Sequence, residues 1–179
     1  MFNNAREVIK IIKDELIDYD NAIFLGAGGL GLEQACFDLS KDIIAYEWAD
    51  DKIEECRAKG VKAIKQDITE LSEIKADVVT FFDIFEHLLK DEALDVLSKV
   101  NAKQIVMFIP IQDKYRRGLD ELIGMQSEAK KNNKQMTQHL SLWTPKELEE
   151  LGFKVWYKEE YFGANHNNWG ACIAIKNNV

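Results

Sequence analysis

The stretch AIFLGAGGLGLEQACFDLS, residues 22–40, begins as a short apolar strand, passes through a run of glycines and ends in a helix-forming segment. Three of the glycines follow the pattern G-x-G-x-x-G at this strand-to-helix turn. Glycine permits positive φ and lacks the Cβ atom that would hold a ligand away from the backbone, and amide groups at a helix start face such a ligand. The alternative is a tight turn without a ligand. The predicted ligand contacts are Gly26, Ala27, Gly28 and Gly31.

Strands and helices alternate along the rest of the chain. The apolar runs DIIAYE, VKAIKQD, ADVVTFFD and QIVMFIP read as strands with helical segments between most of them. They lack polar alternation, which is typical of a parallel sheet buried on both faces. The last two strands, FKVWYKEEYF and GACIAIK, flank a turn-rich segment and predict an antiparallel hairpin. We therefore predict an α/β fold: a Rossmann-like, doubly wound, mostly parallel seven-stranded sheet with helices on both faces and a C-terminal antiparallel β-hairpin.

The composition of the 179 residues predicts a single domain over residues 1–179, because 46% are hydrophobic, 30% are charged and no linker divides them. Within it, residues 1–20 contain an amphipathic helix that we expect to cover part of the core. Residues 111–141 form the longest irregular insertion, and we predict that they cover the substrate.

Charge and cysteine content favour a cytoplasmic protein. The net charge of −8 repels phosphate backbones, so DNA is not an expected partner. Cys36, Cys56 and Cys172 are far apart in the sequence, which suits reduced thiols better than disulfides. The N-terminus does not read as a signal peptide, and no apolar run approaches the ~20 residues that span a bilayer, so we expect no membrane partner.

Acidic residues follow the second and third predicted strands. Glu47 lies 21 positions beyond Gly26, where a carboxylate accepts hydrogen bonds from two ribose hydroxyls; otherwise it begins a solvated helix. Trp48 comes next and can stack on an adenine face or pack in the core. Asp67, followed by Ile68, ends the third strand, where a carboxylate can reach an adenine amino group. These features predict an adenosine-containing cofactor and leave nicotinamide dinucleotides and S-adenosylmethionine open.

The order of these motifs resembles the class I S-adenosylmethionine-dependent methyltransferases, in particular the small-molecule group related to ubiquinone-biosynthesis enzymes. The resemblance covers residues 21–176 and is carried by FLGAGGLG, YEW, KQDITEL, ADVVTFFDIFEHL and HLSLWTPKELEELGFKVW. Two features depart from the family pattern. Phe24 and Leu25 precede the first glycine, where the family more often has an acid, and Leu30 stands where a third glycine would fall. Dinucleotide binding therefore stays an alternative.

The resemblance also implies roles for residues after the fourth strand. Phe82 and Asp83 would line the cofactor pocket, and Glu86 with His87 matches a Glu-His pair common in the family. His87 can act as a general base for a hydroxyl acceptor, because imidazole groups titrate near neutral pH; the alternative is a local hydrogen bond. His139 is an equal candidate for contacting the substrate. Acids spaced as Asp83 and Glu86 are common without a metal, and we assign no metal ligand.

The predicted activity is methyl transfer from S-adenosylmethionine to oxygen or nitrogen of a small-molecule acceptor. Alignment of the reacting groups can supply most of the acceleration, so the absence of a catalytic triad is no objection. The sequence lacks the D/N-P-P-Y/F/W motif of amino methylation on DNA bases. The alternatives are an NAD(P)-binding Rossmann domain, as a small reductase or redox-sensing module, and a non-catalytic, methyltransferase-like cofactor-binding protein. A homodimer is a further hypothesis.

Overall fold

A seven-stranded sheet forms the centre of the computed structural model, which describes residues 2–111, 140–162 and 169–178. The strands are β1 (Asn21–Leu25), β2 (Asp42–Glu47), β3 (Lys62–Lys65), β4 (Ile74–Phe82), β5 (Val100–Ile111), β6 (Lys154–Phe162) and β7 (Trp169–Asn177). Their order across the sheet is β3-β2-β1-β4-β5-β7-β6.

The pairing directions match the sequence prediction. The five strands from β3 to β5 run parallel to their neighbours, whereas β7 is antiparallel to both β5 and β6. The last strand of the chain therefore inserts between β5 and β6 and forms the predicted hairpin with β6. The predicted α/β fold is confirmed.

Helices connect the strands and lie on both sides of the sheet. Within the described residues they are α1 (Phe2–Glu15), α2 (Glu33–Cys36), α3 (Asp50–Ala58), α4 (Lys90–Ser98) and α5 (Pro145–Glu150), with 3₁₀ turns at Ile68–Glu70 and Phe85–His87. α5 begins with a capping box, in which the Thr144 hydroxyl accepts from the Glu147 amide at 3.2 Å and the Glu147 carboxylate accepts from the Thr144 amide at 2.9 Å. Both bonds satisfy amides that the first helical turn leaves unpaired.

The alternation of side chains along β1 shows how both faces of the sheet are buried. Ala22 and Phe24 belong to one hydrophobic cluster, and Ile23 and Leu25 belong to the other. Residues of α1, α2 and α3 join the first cluster, whereas residues of α4 and α5 join the second. Phe24 is fully buried, so we expect its truncation to alanine to cost about 3–5 kcal/mol. These clusters fix the positions of the strand ends.

The helix after the glycine turn is shorter than the sequence predicts. Residues 32–40 read as helix-forming, but α2 has four residues and ends at Cys36. Phe37 is extended (φ −114°, ψ 152°), and its buried ring lies 5.0 Å from the ring of Phe24 between centroids. α2 therefore ends before Phe37, because burial of the Phe37 ring in the core stabilises the fold more than a further turn of a short helix would. A helix of four residues carries little dipole, so α2 offers little dipole attraction to a ligand at its first amides.

Other sequence predictions concern the ends and the surface of the domain. α1 contributes Val8 and Ile12 to the first cluster. The cysteines are free and buried. Within the described ranges, no helix is both long and apolar enough to cross a membrane. Most of the insertion at 111–141 lies outside the described residues, so its role as a substrate cover stays a prediction, as does the extent of the domain.

Candidate functional site

The candidate site lies at the carboxyl ends of three adjacent strands, β2, β1 and β4. Ligands of open α/β sheets bind at such strand ends, where the order of the strands reverses. Leu25, the last residue of β1, pairs with Tyr46 of β2 on one side and with Phe81 of β4 on the other. The segments that follow these strands therefore start side by side. They are the glycine turn, the Glu47–Trp48 pair and the loop from Asp83 to His87.

Four residues of the glycine turn have a left-handed backbone conformation, but one of the glycines that the sequence pattern selected does not. Positive φ occurs at Gly26 (63°), Gly28 (49°), Gly29 (81°) and Leu30 (65°). Gly31 is outside this range, and a Cβ there would have no atom within 4 Å. Gly31 therefore has neither the positive φ nor the close packing that would require a glycine there, and its contact with a ligand stays a prediction. The last left-handed residue of the turn is Leu30, and its complete burial holds the strained conformation.

Close packing explains why the first residue of the turn is glycine. A Cβ on Gly26 would lie 2.5 Å from Cγ1 of Ile84, which follows β4. The Gly26 amide donates to the Tyr46 carbonyl at 2.9 Å, so the backbone cannot easily move away. The next residue, Ala27, is buried, and its carbonyl accepts from the Leu30 amide at 2.7 Å. The turn is thus packed tightly against the ends of β2 and β4.

Side chains on α3 and directly after it contact the other side of the turn. The Lys59 ammonium donates to the Gly29 carbonyl at 2.6 Å. A Cβ on Gly29 would collide with the Glu55 carboxylate and would lie 3.4 Å from the Lys52 side chain. Glycine at this position is therefore required both by its φ angle and by the close approach of α3.

Glu47 links the turn to the end of β2. Its Oε2 atom accepts from the Gly28 amide at 2.8 Å, and its Oε1 atom accepts from the amides of Trp48 at 2.7 Å and Ala49 at 2.9 Å. The residue is only 7% exposed. Because a carboxylate has about four acceptor positions, three bonds to the backbone leave room for one ligand hydroxyl rather than the two that the sequence suggested.

Trp48 and Asp67 flank Glu47 on the outer side of the site. Trp48 is 53% exposed, so it is not a core residue, and the Lys65 ammonium lies 6.0 Å from the centroid of its ring. Asp67 caps the 3₁₀ turn: its Oδ1 atom accepts from the amide and the hydroxyl of Thr69 at 2.9 and 2.7 Å. Ile68, in contrast, packs in the second core cluster.

The loop after β4 carries Asp83 in a left-handed conformation, with φ of 57°. The Asp83 amide donates to the Phe108 carbonyl at 2.8 Å, and its side chain is exposed. Phe82, before it, is buried with its ring 6.2 Å from that of Phe37. A non-glycine residue in this region is uncommon and is often found at functional sites. Asp83 therefore presents its carboxylate at the strand ends, whereas Phe82 serves the core.

Glu86 is a buried acid whose burial the sequence did not reveal. It is 1% exposed, and burial, followed by the charge of Asp83 and a hydrogen bond with it, raises the pKa of Glu86 well above its ordinary value. Its main-chain carbonyl accepts from the amides of Leu140 and Ser141 at 2.7 and 3.0 Å. The neighbouring His87 places Nε2 at 3.8 Å from Glu86 Oε1, and its side chain is 18% exposed. These contacts join the loop after β4 to the segment that leads into α5.

Glu33 is a second acid that the sequence analysis missed. It opens α2 directly after the glycine turn and is 2% exposed. Burial raises the pKa of its carboxyl to about 8; the positive charge of Lys59 lowers it and the negative charge of Glu47 adds to the rise. The signal in the sequence was a glutamate within the apolar run LGLEQACF, which places a charged residue at a position that must face the sheet.

An open cavity of about 480 Å³ lies elsewhere, at the amino ends of the strands. Ile23 and Ile44 form part of its floor, and Asp77 and Lys103 at its rim are paired with each other at 2.7 Å. It is at the opposite end of the sheet from the glycine turn, and we do not assign it to the site. His139 falls outside the described residues.

Comparison with known proteins identifies the fold. No protein-family model and no curated protein sequence matches the chain. A SAM-dependent methyltransferase from Archaeoglobus fulgidus is similar in structure, with 19% identity and a TM-score of 0.59, and the match covers 98% of this chain and 93% of that one. An O-methyltransferase family protein from Burkholderia thailandensis has 14% identity, a TM-score of 0.57 and coverage of 97% and 56%. The CurJ carbon methyltransferase has 16% identity, a TM-score of 0.62 and coverage of 98% and 54%.

The chain thus spans about half the length of the Burkholderia and CurJ proteins. At these identities the similarity concerns the fold alone, which is that of the class I S-adenosylmethionine-dependent methyltransferases. The names of the relatives include methylation at oxygen and at carbon, so the fold does not select the acceptor atom.

Proposed function

We propose, from the class I methyltransferase fold of this chain, that it transfers the methyl group of S-adenosylmethionine to an oxygen or nitrogen atom of a small-molecule acceptor. The observation that carries the proposal is the bond between the Gly28 amide and Glu47 at 2.8 Å. It joins the left-handed turn after β1 to an oriented carboxylate at the end of β2, which is the arrangement that a nucleoside requires.

The residues present fit the adenosine part of the cofactor. Glu47 keeps one acceptor position for a ribose hydroxyl, and the exposed ring of Trp48 offers an apolar face to adenine. The Gln66 amide donates to the Glu47 carbonyl at 3.1 Å, which places the next residue, Asp67, close to the end of β2. We assign Asp67 to the adenine amino group. Gly26, Ala27 and Gly28 form the adjoining backbone, and Asp83 faces the cofactor from β4. Gly31, Ile68 and Phe82 are also assigned to the cofactor site, on the basis of the sequence.

The cofactor supplies a methyl group on a sulfonium sulfur, and a neutral thioether remains after transfer. The protein's task is to align the acceptor with the methyl group and to exclude water. When the acceptor is a hydroxyl, its proton must pass to a base or to solvent. His87 is our candidate for that base because its side chain is partly exposed in the loop after β4. His139 stays a second candidate, from the sequence alone.

A small, non-nucleic-acid acceptor is the class that the charge favours. The net charge of −8 opposes the approach of a phosphate backbone. Asp83 adds an exposed carboxylate at the strand ends, which disfavours an anionic group beside the methyl position and favours a hydroxyl or an amine. We propose a cytoplasmic location on the basis of the reduced cysteines, and a homodimer as an arrangement to be tested.

Calorimetric titration with S-adenosylhomocysteine and, separately, with NADH tests the cofactor. We expect saturable binding of S-adenosylhomocysteine at one site per chain and none of NADH. Saturable binding of NADH alone would show that the chain is a dinucleotide-binding domain instead. A panel of phenols, amines, sugars and carboxylates with a labelled methyl donor then tests transfer. Cofactor binding without a labelled product from any acceptor would favour the non-catalytic alternative.

A further inference from the structure

The open cavity at the amino ends of the strands has no part in the proposed reaction. Its volume of about 480 Å³ is in the range of small-molecule sites. β1 runs from Asn21, which lines the cavity, to the glycine turn at Gly26. At about 3.3 Å per residue, these two ends of the strand lie roughly 16 Å apart. The cavity is therefore separate from the nucleoside site.

A short connection leaves this part of the sheet uncovered. β3 and β4 are parallel strands that are separated by β2 and β1, and residues 66–73 connect them with one 3₁₀ turn. Crossovers between parallel strands usually need a dozen or more residues and contain a helix. Ile68 and Leu71 of the connection pack in the second core cluster, to which Ile23 and Ile44 also belong. Because the connection is too short to cover that whole face, the amino ends of β1 and β2 stay open on it.

Four charged side chains line the cavity, and their charges cancel. Lys103 and Asp77 pair with each other at 2.7 Å, and Asp77 also accepts from the Asp20 amide at 2.8 Å. The other two are Lys75 and Asp42, and no residue in the described part of the chain pairs with either of them. The cavity thus has one cation and one anion that are available to a ligand.

These two unpaired charges lie on opposite sides of the cavity. Asp42 begins β2 and Lys75 is on β4, with β1 between them. Two strand spacings, about 10 Å, therefore separate them across the sheet. Asn21 and Asn101 add amide groups to the lining, and the Asn21 Oδ1 atom accepts from the Asp77 amide at 2.9 Å. A small ligand would meet a cation, an anion and amide donors around the isoleucines of the floor.

This combination of groups selects a zwitterion with an aliphatic side chain. An ion of a single sign would leave either Lys75 or Asp42 without a counter-charge, whereas an α-amino acid carries a carboxylate for one and an ammonium for the other. The described residues that line the cavity include no aromatic ring, so they offer no stacking surface to a nucleobase and no cage to a quaternary ammonium. Ile23, Ile44 and Ala76 offer aliphatic surface instead.

We propose that the cavity binds a free aliphatic α-amino acid. The carboxylate of the amino acid contacts Lys75, its ammonium contacts Asp42, and its side chain packs on the isoleucines of the floor. Because the cavity and the nucleoside site are at opposite ends of the sheet, this binding does not depend on the proposed function.

NMR titration of the isotope-labelled protein with L-leucine at neutral pH tests the site. We expect the backbone amide signals of Ile23, Ile44 and Ala76 to shift until saturation, with a Kd on the order of 1 mM or lower. The signals of Gly28 and Gly29 should stay in place. The proposal is wrong if L-leucine causes no saturable shift at concentrations on the order of 10 mM, or if the shifts occur at the glycine turn in place of the cavity.

Two analogues of leucine that each keep one charge test whether both charges are recognised. Isocaproate lacks the ammonium, and isoamylamine lacks the carboxylate. We expect each to bind about tenfold more weakly than L-leucine or worse, because one charge-assisted contact is lost. If either analogue binds as tightly as L-leucine, the site does not recognise a zwitterion.

Lys75→Gln and Asp42→Asn remove the two charges one at a time and test the orientation of the ligand. Each should weaken binding of L-leucine about fivefold or more. In Lys75→Gln the preference for L-leucine over isoamylamine should disappear, because the carboxylate has lost its partner. In Asp42→Asn the preference over isocaproate should disappear for the same reason at the ammonium.

Lys10→Gln and Asp14→Asn are the matched controls. The two residues pair with each other on the exposed side of α1, which covers the opposite face of the sheet. Both controls should bind L-leucine as the parent does, and circular dichroism checks that every variant is folded. Parent-like binding in folded Lys75→Gln and Asp42→Asn would refute the assignment of the two charges.

A dilution series without ligand distinguishes a ligand site from an interface between two copies of the chain. We expect the amide signals of Ile23 and Ile44 to be independent of protein concentration. If they shift with concentration while the sedimentation coefficient rises, this face joins two copies and the amino-acid site is refuted.

Discussion

The Gly28 amide donates a hydrogen bond of 2.8 Å to Glu47, and this contact ties the turn after β1 to the end of β2. Two further amides, of Trp48 and Ala49, orient the same carboxylate from its own strand end. A group held in place by three donors needs little reorganisation when a ligand arrives, which lowers the entropic cost of binding.

Replacement of Glu47 by alanine should weaken binding of S-adenosylhomocysteine by about 1–3 kcal/mol, because the charge-assisted bond to ribose and the support of Gly28 are both lost. The control is Glu54→Ala, which removes an acid with 70% side-chain exposure from α3. Calorimetry measures both affinities, and circular dichroism checks that each variant is folded. Parent-like affinity in a folded Glu47→Ala protein would mean that the site is misplaced.

Two glycine-to-alanine substitutions test which glycines the turn requires for steric reasons and which only match the sequence motif. Gly26→Ala should lower the free energy of unfolding by about 2 kcal/mol or more, because its new methyl group would meet Ile84 at 2.5 Å and the φ of 63° disfavours alanine. Gly31→Ala meets open space and should change stability by less than ~1 kcal/mol, with stabilisation the expected direction. Urea unfolding curves measure both values. Equal losses from the two changes would refute the geometry of the turn.

Trp48→Leu should leave the fold intact and reduce affinity for S-adenosylhomocysteine about five- to tenfold, because an exposed aromatic face is lost without disturbance of the core. Tyr157→Leu, on β6 at the far edge of the sheet, removes another exposed aromatic residue and serves as the control. Titration calorimetry measures the affinities. The parent's tryptophan emission should also change on binding, and Trp48→Leu should lose most of that change.

Most of the fold could be predicted from short apolar runs in the sequence. Strands such as β1 and β4 are buried on both sides, so their sequences lack alternation and are recognised without knowledge of their partners. The hairpin of β6 and β7 was visible from its turn-rich connection. α2 could not be predicted as a single turn, because its end depends on the contact of Phe37 with Phe24, which are distant in sequence.

The sequence places Glu47 and Trp48 at the end of the second strand, and in the structure Glu47 is the last residue of β2 and Trp48 follows it. The contacts of both residues with a cofactor stay predictions. The sequence pattern selected Gly31 because the motif is defined by the spacing of its glycines, whereas the last left-handed residue of the turn is Leu30. Glu33 and Glu86 were missed as buried acids, because burial of a charged residue depends on tertiary packing that local patterns do not record.

Glu86→Gln should stabilise the protein, and more so at higher pH. Burial raises the folded-state pKa of Glu86 above its ordinary value, so its contribution to stability is greatest at low pH and is lost as the pH rises above that ordinary value. Glutamine cannot ionise and can still donate to Asp83. The thermal midpoint of the variant should exceed the parent's by a few degrees at pH 7.5 and by less at pH 5. Glu150→Gln, an exposed change on α5, should show no such pH trend.

His87→Ala tests the proposed base in the loop after β4. If His87 takes the proton of a hydroxyl acceptor, kcat should fall by ~10²-fold or more while the affinity for S-adenosylhomocysteine stays within about twofold of the parent's value. Added imidazole should restore part of the rate, because the lost side chain was partly exposed and leaves a space that solvent molecules can reach. His87→Gln keeps a hydrogen-bonding side chain without basicity, so it should be as slow as His87→Ala. Full activity in His87→Gln would assign the residue a purely structural role and leave alignment of the acceptor as the source of the rate.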